Sequence, residues 1–251
     1  MNRFLSAISL SMCLGLLPVA AQDELADFGI YAESAKTAKK VAPMETTLPL
    51  ELKKGARVAF VGNTLLDRAQ YHAYFETLLF QRYPQHDLVI RNFAWSADEV
   101  DLQPRPDNFA TTAQHLTREK TDVIVAAFGF NESFGGLEKL PAFRERLRKW
   151  ILEAKTSAYN GSTGPQIVLL SPIANEGSAG KRNNARLKAY TQAMREVAQE
   201  ETIGFADLYA DTEVLFTRED KATWTINGVH LTGGGYAQLA RILYREVFGE
   251  T

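Results

Sequence analysis

The chain has 251 residues, 45% of them hydrophobic and 23% charged, the balance of a globular protein able to bury a sizeable core. That length suits one large domain or two small ones. A formal net charge of -2 offers no global field for nucleic acid or an anionic membrane, and none of the four histidines is spaced from another as a metal-ligand pair, which argues against a structural metal site.

The N-terminus reads as a secretory signal peptide over residues 1–21. Arg3 supplies positive charge, an apolar run extends from Phe4 to Ala21, and Val19-Ala20-Ala21 is the small-residue pattern of a cleavage site. Cleavage before Gln22 would remove Cys13, the only cysteine, so the mature chain would reach the periplasm or the exterior without disulfides. It would have no stable membrane insertion after cleavage, because the apolar run is short for a spanning helix. A retained anchor and lipidation of Cys13 are the alternatives. Residues 22–55 carry mixed charges without a clear period and form an N-terminal extension, closed by the turn signal Lys53-Lys54-Gly55.

Residues 56–251 alternate short apolar runs with amphipathic stretches. Strands are expected at Arg57–Val61, Leu88–Asn92, Val123–Phe128, Gln166–Leu170 and Gly204–Leu208, most of them continuous in apolar residues as strands buried on both faces should be. Helices are expected at Arg68–Arg82, Phe109–Glu119, Ala142–Ser157, Ala185–Glu200 and from about Gly235 to Phe248. This alternation predicts an α/β domain of three layers, α/β/α, around a mainly parallel sheet of five strands. Reactive groups in such sheets gather beyond the carboxyl ends of the strands. The segments there are Gly62-Asn63-Thr64-Leu65, Asn92-Phe93-Ala94-Trp95-Ser96-Ala97-Asp98 and Gly129-Phe130-Asn131-Glu132, followed by Asn227-Gly228-Val229-His230 before the last helix.

The order and placement of these four segments resemble the SGNH (GDSL-like) hydrolases over about Arg57 to Phe248. The resemblance implies a flavodoxin-like fold, no cofactor and ester hydrolysis by a hydroxyl nucleophile with a histidine base. Thr64 stands at the nucleophile, which is serine in the Gly-Asp-Ser-Leu block, and Asn63 at that block's aspartate. Ala97 stands at the glycine whose N–H enters the oxyanion hole, and Asn131 at the oxyanion-binding asparagine. His230 stands at the base and Asn227 at the aspartate behind it. The chemistry is coherent: a hydroxyl needs a base to remove its proton, and histidine is suited to that near neutral pH. A tetrahedral oxyanion needs donors, here the N–H groups of 64 and 97 with the Asn131 amide.

Two departures fall on the triad. Thr64 adds a methyl that restricts χ1, and Asn227 lacks the charge that steadies an imidazolium, although an asparagine carbonyl can still accept from the ring. The resemblance implies a small-molecule or glycan ester as substrate, such as an acyl or acetyl ester on carbohydrate. The absence of a lid-like apolar insertion argues against a lipase. The alternative is a catalytically impaired module on the same fold that binds carbohydrate or protein. Plainer readings exist for each residue. Thr64 is also a good helix N-cap, His230 a surface histidine, Asn131 a turn residue, and Asn227-Gly228 a turn signal in its own right. Asp98 and Glu132 read first as solvated loop charges, with a share of the aspartate's role as the alternative; Trp95 and Phe130 pack beside the pocket or line it; and Ser96 and Ser133 are nearby hydroxyls that rank below Thr64 as nucleophile, because neither sits at the first strand-helix turn.

Overall fold

The central apolar runs become strands because both of their faces are covered, whereas the edge run Val89–Asn92 is only partly buried. The computed structural model describes residues 27–217 and 223–249, so the expected signal peptide lies outside the described residues. In chain order the elements are β1 (Lys39–Lys40), β2 (Arg57–Gly62), α1 (Thr64–Ala69), α2 (Tyr74–Arg82), β3 (Val89–Asn92), α3 (Thr112–Arg118), β4 (Val123–Ala127) and α4 (Leu140–Lys155). They continue with β5 (Ser157–Ala158), β6 (Gln166–Leu170), α5 (Gly177–Gly180), α6 (Asn184–Glu200), β7 (Gly204–Ala206), α7 (Leu208–Leu215) and α8 (Gly233–Phe248). The central sheet has the order β3-β2-β4-β6-β7, and every neighbouring pair is parallel.

Alternation along the strands sorts the core into two layers. Val58, Phe60, Val125 and Val168 face Leu66 of α1, Phe75 and Leu79 of α2, and Leu239 and Leu243 of α8. Ala59, Val61, Ile124, Ala126 and Leu169 face Leu116 of α3, Phe143, Leu147 and Ile151 of α4, and Tyr190, Met194 and Val197 of α6. The expected three-layer α/β/α arrangement with a five-stranded parallel sheet is therefore the observed one.

Besides the short unexpected elements β1, β5 and α5, the structure departs from expectation at one helix and at the last strand. The single helix expected over Arg68–Arg82 is two helices, broken where Ala73 takes a left-handed φ of 49°. The break lets α1 bury Leu66 while α2 turns to bury Phe75 and Leu79. The last strand stops at Ala206 because Asp207 accepts from the Ala210 N–H and starts α7, a helix that sequence reasoning omitted. The described part of the extension packs on the domain. β1 pairs antiparallel with β5, the Thr46 hydroxyl accepts from the Ile167 N–H at 2.8 Å, and Leu50 and Leu52 join the core.

Candidate active site

The turn from β2 into α1 is forced by two residues. Gly62 has φ 120°, and a Cβ there would lie 2.1 Å from the Ala127 carbonyl oxygen, so only glycine lets β2 pass this close to β4. Asn63 then caps α1, its side-chain oxygen accepting from the Leu65 N–H at 3.1 Å. Thr64 is therefore the first helical residue and not the cap, which frees its hydroxyl for another role. That hydroxyl accepts from the Ala97 N–H at 3.3 Å.

Ala97 has φ 70°, in the left-handed region that a residue with a Cβ adopts at a cost. A glycine would sit there without strain, and the replacement keeps the N–H aimed at Thr64. Asn131 joins the same edge of the sheet. It lies between β4 and the short 3₁₀ turn Glu132–Gly135, and its amide donates to the Asp98 carbonyl oxygen at 3.1 Å.

His230 and Asn227 lie on a tight loop before α8. Thr225 bridges to Leu231, the Ile226 N–H donates to the His230 carbonyl at 2.7 Å, and Gly228 takes φ 85° at the tip. The turn reading and the functional reading of Asn227 thus describe one structure. Asn227 Oδ1 accepts from the N–H groups of Val229, at 3.2 Å, and His230, at 3.0 Å. Those two donors fix which end of the amide is oxygen. His230 Nδ1 lies 3.1 Å from that same oxygen, so Nδ1 carries the proton and Nε2 remains the acceptor.

Thr64 and His230 line one cleft, of about 450 Å³ including its open mouth, together with Phe130, Pro172, Ile173 and Tyr236. Tyr236 on α8 donates to the Leu65 carbonyl at 3.0 Å and so ties the histidine side to the nucleophile side; burial pushes its phenol up to about 12. The structure therefore brings Thr64, Ala97 and Asn131 to one end of the sheet, with His230 facing the cleft that Thr64 lines and Asn227 behind the imidazole.

Other expectations change. Asp98 is buried and paired with Arg105 at 2.7 Å, and Arg105 lies 4.2 Å over the Trp95 ring. Glu132 is 5% exposed and accepts from the Gly129 N–H at 2.8 Å and the Val100 N–H at 3.1 Å. Neither is a solvated loop charge; both brace the loops around the site. Ser133 is buried and donates to the Phe130 carbonyl, whereas Phe130 lines the cleft. Sequence reasoning missed Glu176. Its carboxylate accepts from the Trp224 N–H (3.1 Å), the Thr225 N–H (2.8 Å) and the Thr225 hydroxyl (2.6 Å), and its own N–H donates to the Gly228 carbonyl at 2.7 Å. It anchors the histidine loop from 54 positions away in sequence, where no spacing motif could reveal it. Among the described residues no cluster of His, Cys, Asp or Glu is placed to hold a metal, and no helix is long and apolar enough to cross a membrane.

Comparison with known proteins bears on the fold and the family. No curated protein matches the chain. Among solved structures, the acetylxylan esterase Axe2 from Geobacillus stearothermophilus aligns with a TM-score of 0.61 at 23% identity, over 80% of this chain and 98% of its own. LAE5, an alpha/beta hydrolase enzyme from the metagenome of Lake Arreo, Spain, aligns with a TM-score of 0.61 at 16% identity, over 80% and 99%. These likenesses establish a shared fold. The model of the GDSL-like Lipase/Acylhydrolase family matches residues 59–238, and the chain accordingly belongs to that family of ester-bond hydrolases.

Proposed function

We propose that the chain is an exported esterase that removes a short acyl group, such as acetyl, from a small or carbohydrate alcohol, with Thr64 as nucleophile and His230 as its base. The observation that carries this reading is the pairing of His230 Nδ1 with Asn227 Oδ1 beside a cleft that His230 shares with Thr64. It leaves Nε2 as the proton acceptor for the hydroxyl.

In the proposed cycle His230 Nε2 takes the Thr64 proton as Oγ1 attacks the ester carbonyl. The negative oxygen that forms is held by the Ala97 N–H, the Thr64 N–H at the start of α1 and the Asn131 amide. Collapse expels the alcohol, which takes its proton from His230, and water then repeats the sequence to release the acid. Asn227 keeps the ring in the productive tautomer but brings no charge to the imidazolium, so the reaction should run below the rate an aspartate would give. Three of the Axe2 structures of this fold are described as catalytic mutants, at a serine, an aspartate and a histidine, the residue types whose places we assign to Thr64, Asn227 and His230. The acetyl group and the carbohydrate alcohol are taken from that likeness, and export from the signal-peptide pattern of residues 1–21.

The test is a screen of the purified chain on short-chain aryl esters and acetylated xylo-oligosaccharides, beside His230→Ala. Turnover that disappears in the variant supports the reading. Absence of turnover from both proteins, with the oligosaccharide still bound, would replace it with a binding module. For export, mass spectrometry of native material should find an N-terminus near Gln22; a soluble cytoplasmic protein retaining Met1 would contradict it.

A further inference from the structure

We propose that Asp67 is a positioning residue that holds the Ala97 N–H against the Thr64 hydroxyl; this rests on the assignment of Thr64 and Ala97 above. Asp67 lies on α1 three residues after Thr64, so one short helix carries both. Its Oδ2 accepts from the Ser96 N–H at 3.0 Å and from the Ser96 hydroxyl, and its Oδ1 accepts from Gln70 Nε2 at 3.0 Å. Ser96 immediately precedes Ala97.

The reason to expect a function is the backbone of Ala97. A left-handed φ at a residue with a Cβ persists only where the surroundings over-determine it. On the following side, the Asp98 N–H donates to the Trp95 carbonyl at 3.1 Å, and the Asp98 carboxylate is locked to Arg105. On the preceding side the Trp95 N–H donates to the Gly62 carbonyl at 2.9 Å, and the tie at Ser96 itself is Asp67. Asn92 secures the start of this loop, donating to the Leu66 carbonyl at 2.7 Å, but Asp67 is the bond next to the strained residue. Without it, the peptide unit between Ser96 and Ala97 keeps only the long bond to the Thr64 hydroxyl and the Trp95–Asp98 turn against the strain, and rotation toward an unstrained φ withdraws the Ala97 N–H from the oxyanion position. Such a donor must point at the place where charge develops, and its loss typically lowers turnover by about 10² to 10³.

The test compares Asp67→Ala, Asp67→Asn and Ala97→Gly, alone and combined, in the purified chain. Amide hydrogen exchange gives a readout independent of chemistry. In Asp67→Ala the Ala97 amide should exchange at least about tenfold faster while amides of β4 are unchanged. With p-nitrophenyl acetate as probe, kcat should fall about 10- to 100-fold with KM within about twofold, since a displaced oxyanion donor weakens the transition state and not the bound ester. Asp67→Asn, which keeps one acceptor, should recover part of the loss and covers the case in which Asp67→Ala folds poorly. Glycine tolerates the positive φ, so Asp67→Ala should cost less in the Ala97→Gly background than in the wild type. Unchanged protection of the Ala97 amide in both Asp67 variants, or an unchanged kcat, would overturn the proposal. If the wild type does not turn over the ester, the hydrolase reading fails by itself, and the exchange of Ala97 still decides the role of Asp67.

Discussion

Glu132 makes the stability of this protein depend on pH in a definite direction. The carboxyl is 5% exposed, and burial pushes it up from 4.5 to about 7; the neighbouring Glu99 adds to the rise, and backbone N–H donors, including those of Val100 and Gly129, oppose it. The folded state thus holds a proton that the unfolded chain releases near 4.5. Stability from this group is fully present below 4.5 and is lost as pH rises through about 7. At roughly 1.4 kcal/mol per pH unit, the loss is about 3 kcal/mol. Glu132→Gln removes the titration but turns an amide NH₂ toward the Val100 or the Gly129 N–H, leaving donors opposed at a cost of about 1–3 kcal/mol. Urea denaturation of both proteins from pH 4.5 to 8 should therefore show the wild type more stable at the acid end, and the gap closing or reversing by neutral pH. A difference between the two that stays constant across this range would refute the reasoning, whatever the other carboxylates do, since they are common to both.

Two further outcomes follow from the same loops. Asn227→Asp keeps every acceptor that now holds Val229, His230 and the imidazole while adding charge behind the ring; kcat/KM should rise, within the roughly 10⁴-fold that the reverse change costs in a working triad, and a fall in kcat/KM would contradict the assignment of Asn227. Arg105→Ala strands the Asp98 carboxylate, whose side chain is 3% exposed, and should cost about 3–5 kcal/mol in chemical denaturation, with a loss under about 1 kcal/mol showing that the pair is not what holds the Trp95–Asp98 segment.

The layered sheet was legible because most of its strands are continuous apolar runs that alternate with amphipathic stretches across residues 56–251. The site was legible where chemistry is tied to a turn: Gly62-Asn63-Thr64 and Asn227-Gly228-Val229-His230 each carry their own geometry in a few consecutive residues. What escaped was long-range. The charges of Asp98 and Glu132 look like loop residues until Arg105 and the backbone of Gly129 and Val100 are seen to close over them. Glu176 and Asp67 act on loops about 50 and 30 positions away, through hydrogen bonds that no local pattern announces. The helix break at Ala73 escaped for another reason. It contains no glycine or proline, and it is imposed by the need to bury Phe75 and Leu79 on the sheet.

The most direct measurement of the central claim is to trap the covalent intermediate. The purified chain is mixed with a short-chain aryl ester, quenched in acid during turnover, digested and mapped by mass spectrometry, in parallel with Thr64→Ala and Thr64→Ser. One acyl group on the Thr64 hydroxyl of the wild type, none at this position in Thr64→Ala, and equal or faster turnover with the acyl group on the new serine in Thr64→Ser is the predicted result. Equal cleavage of the ester by wild type and Thr64→Ala would contradict it.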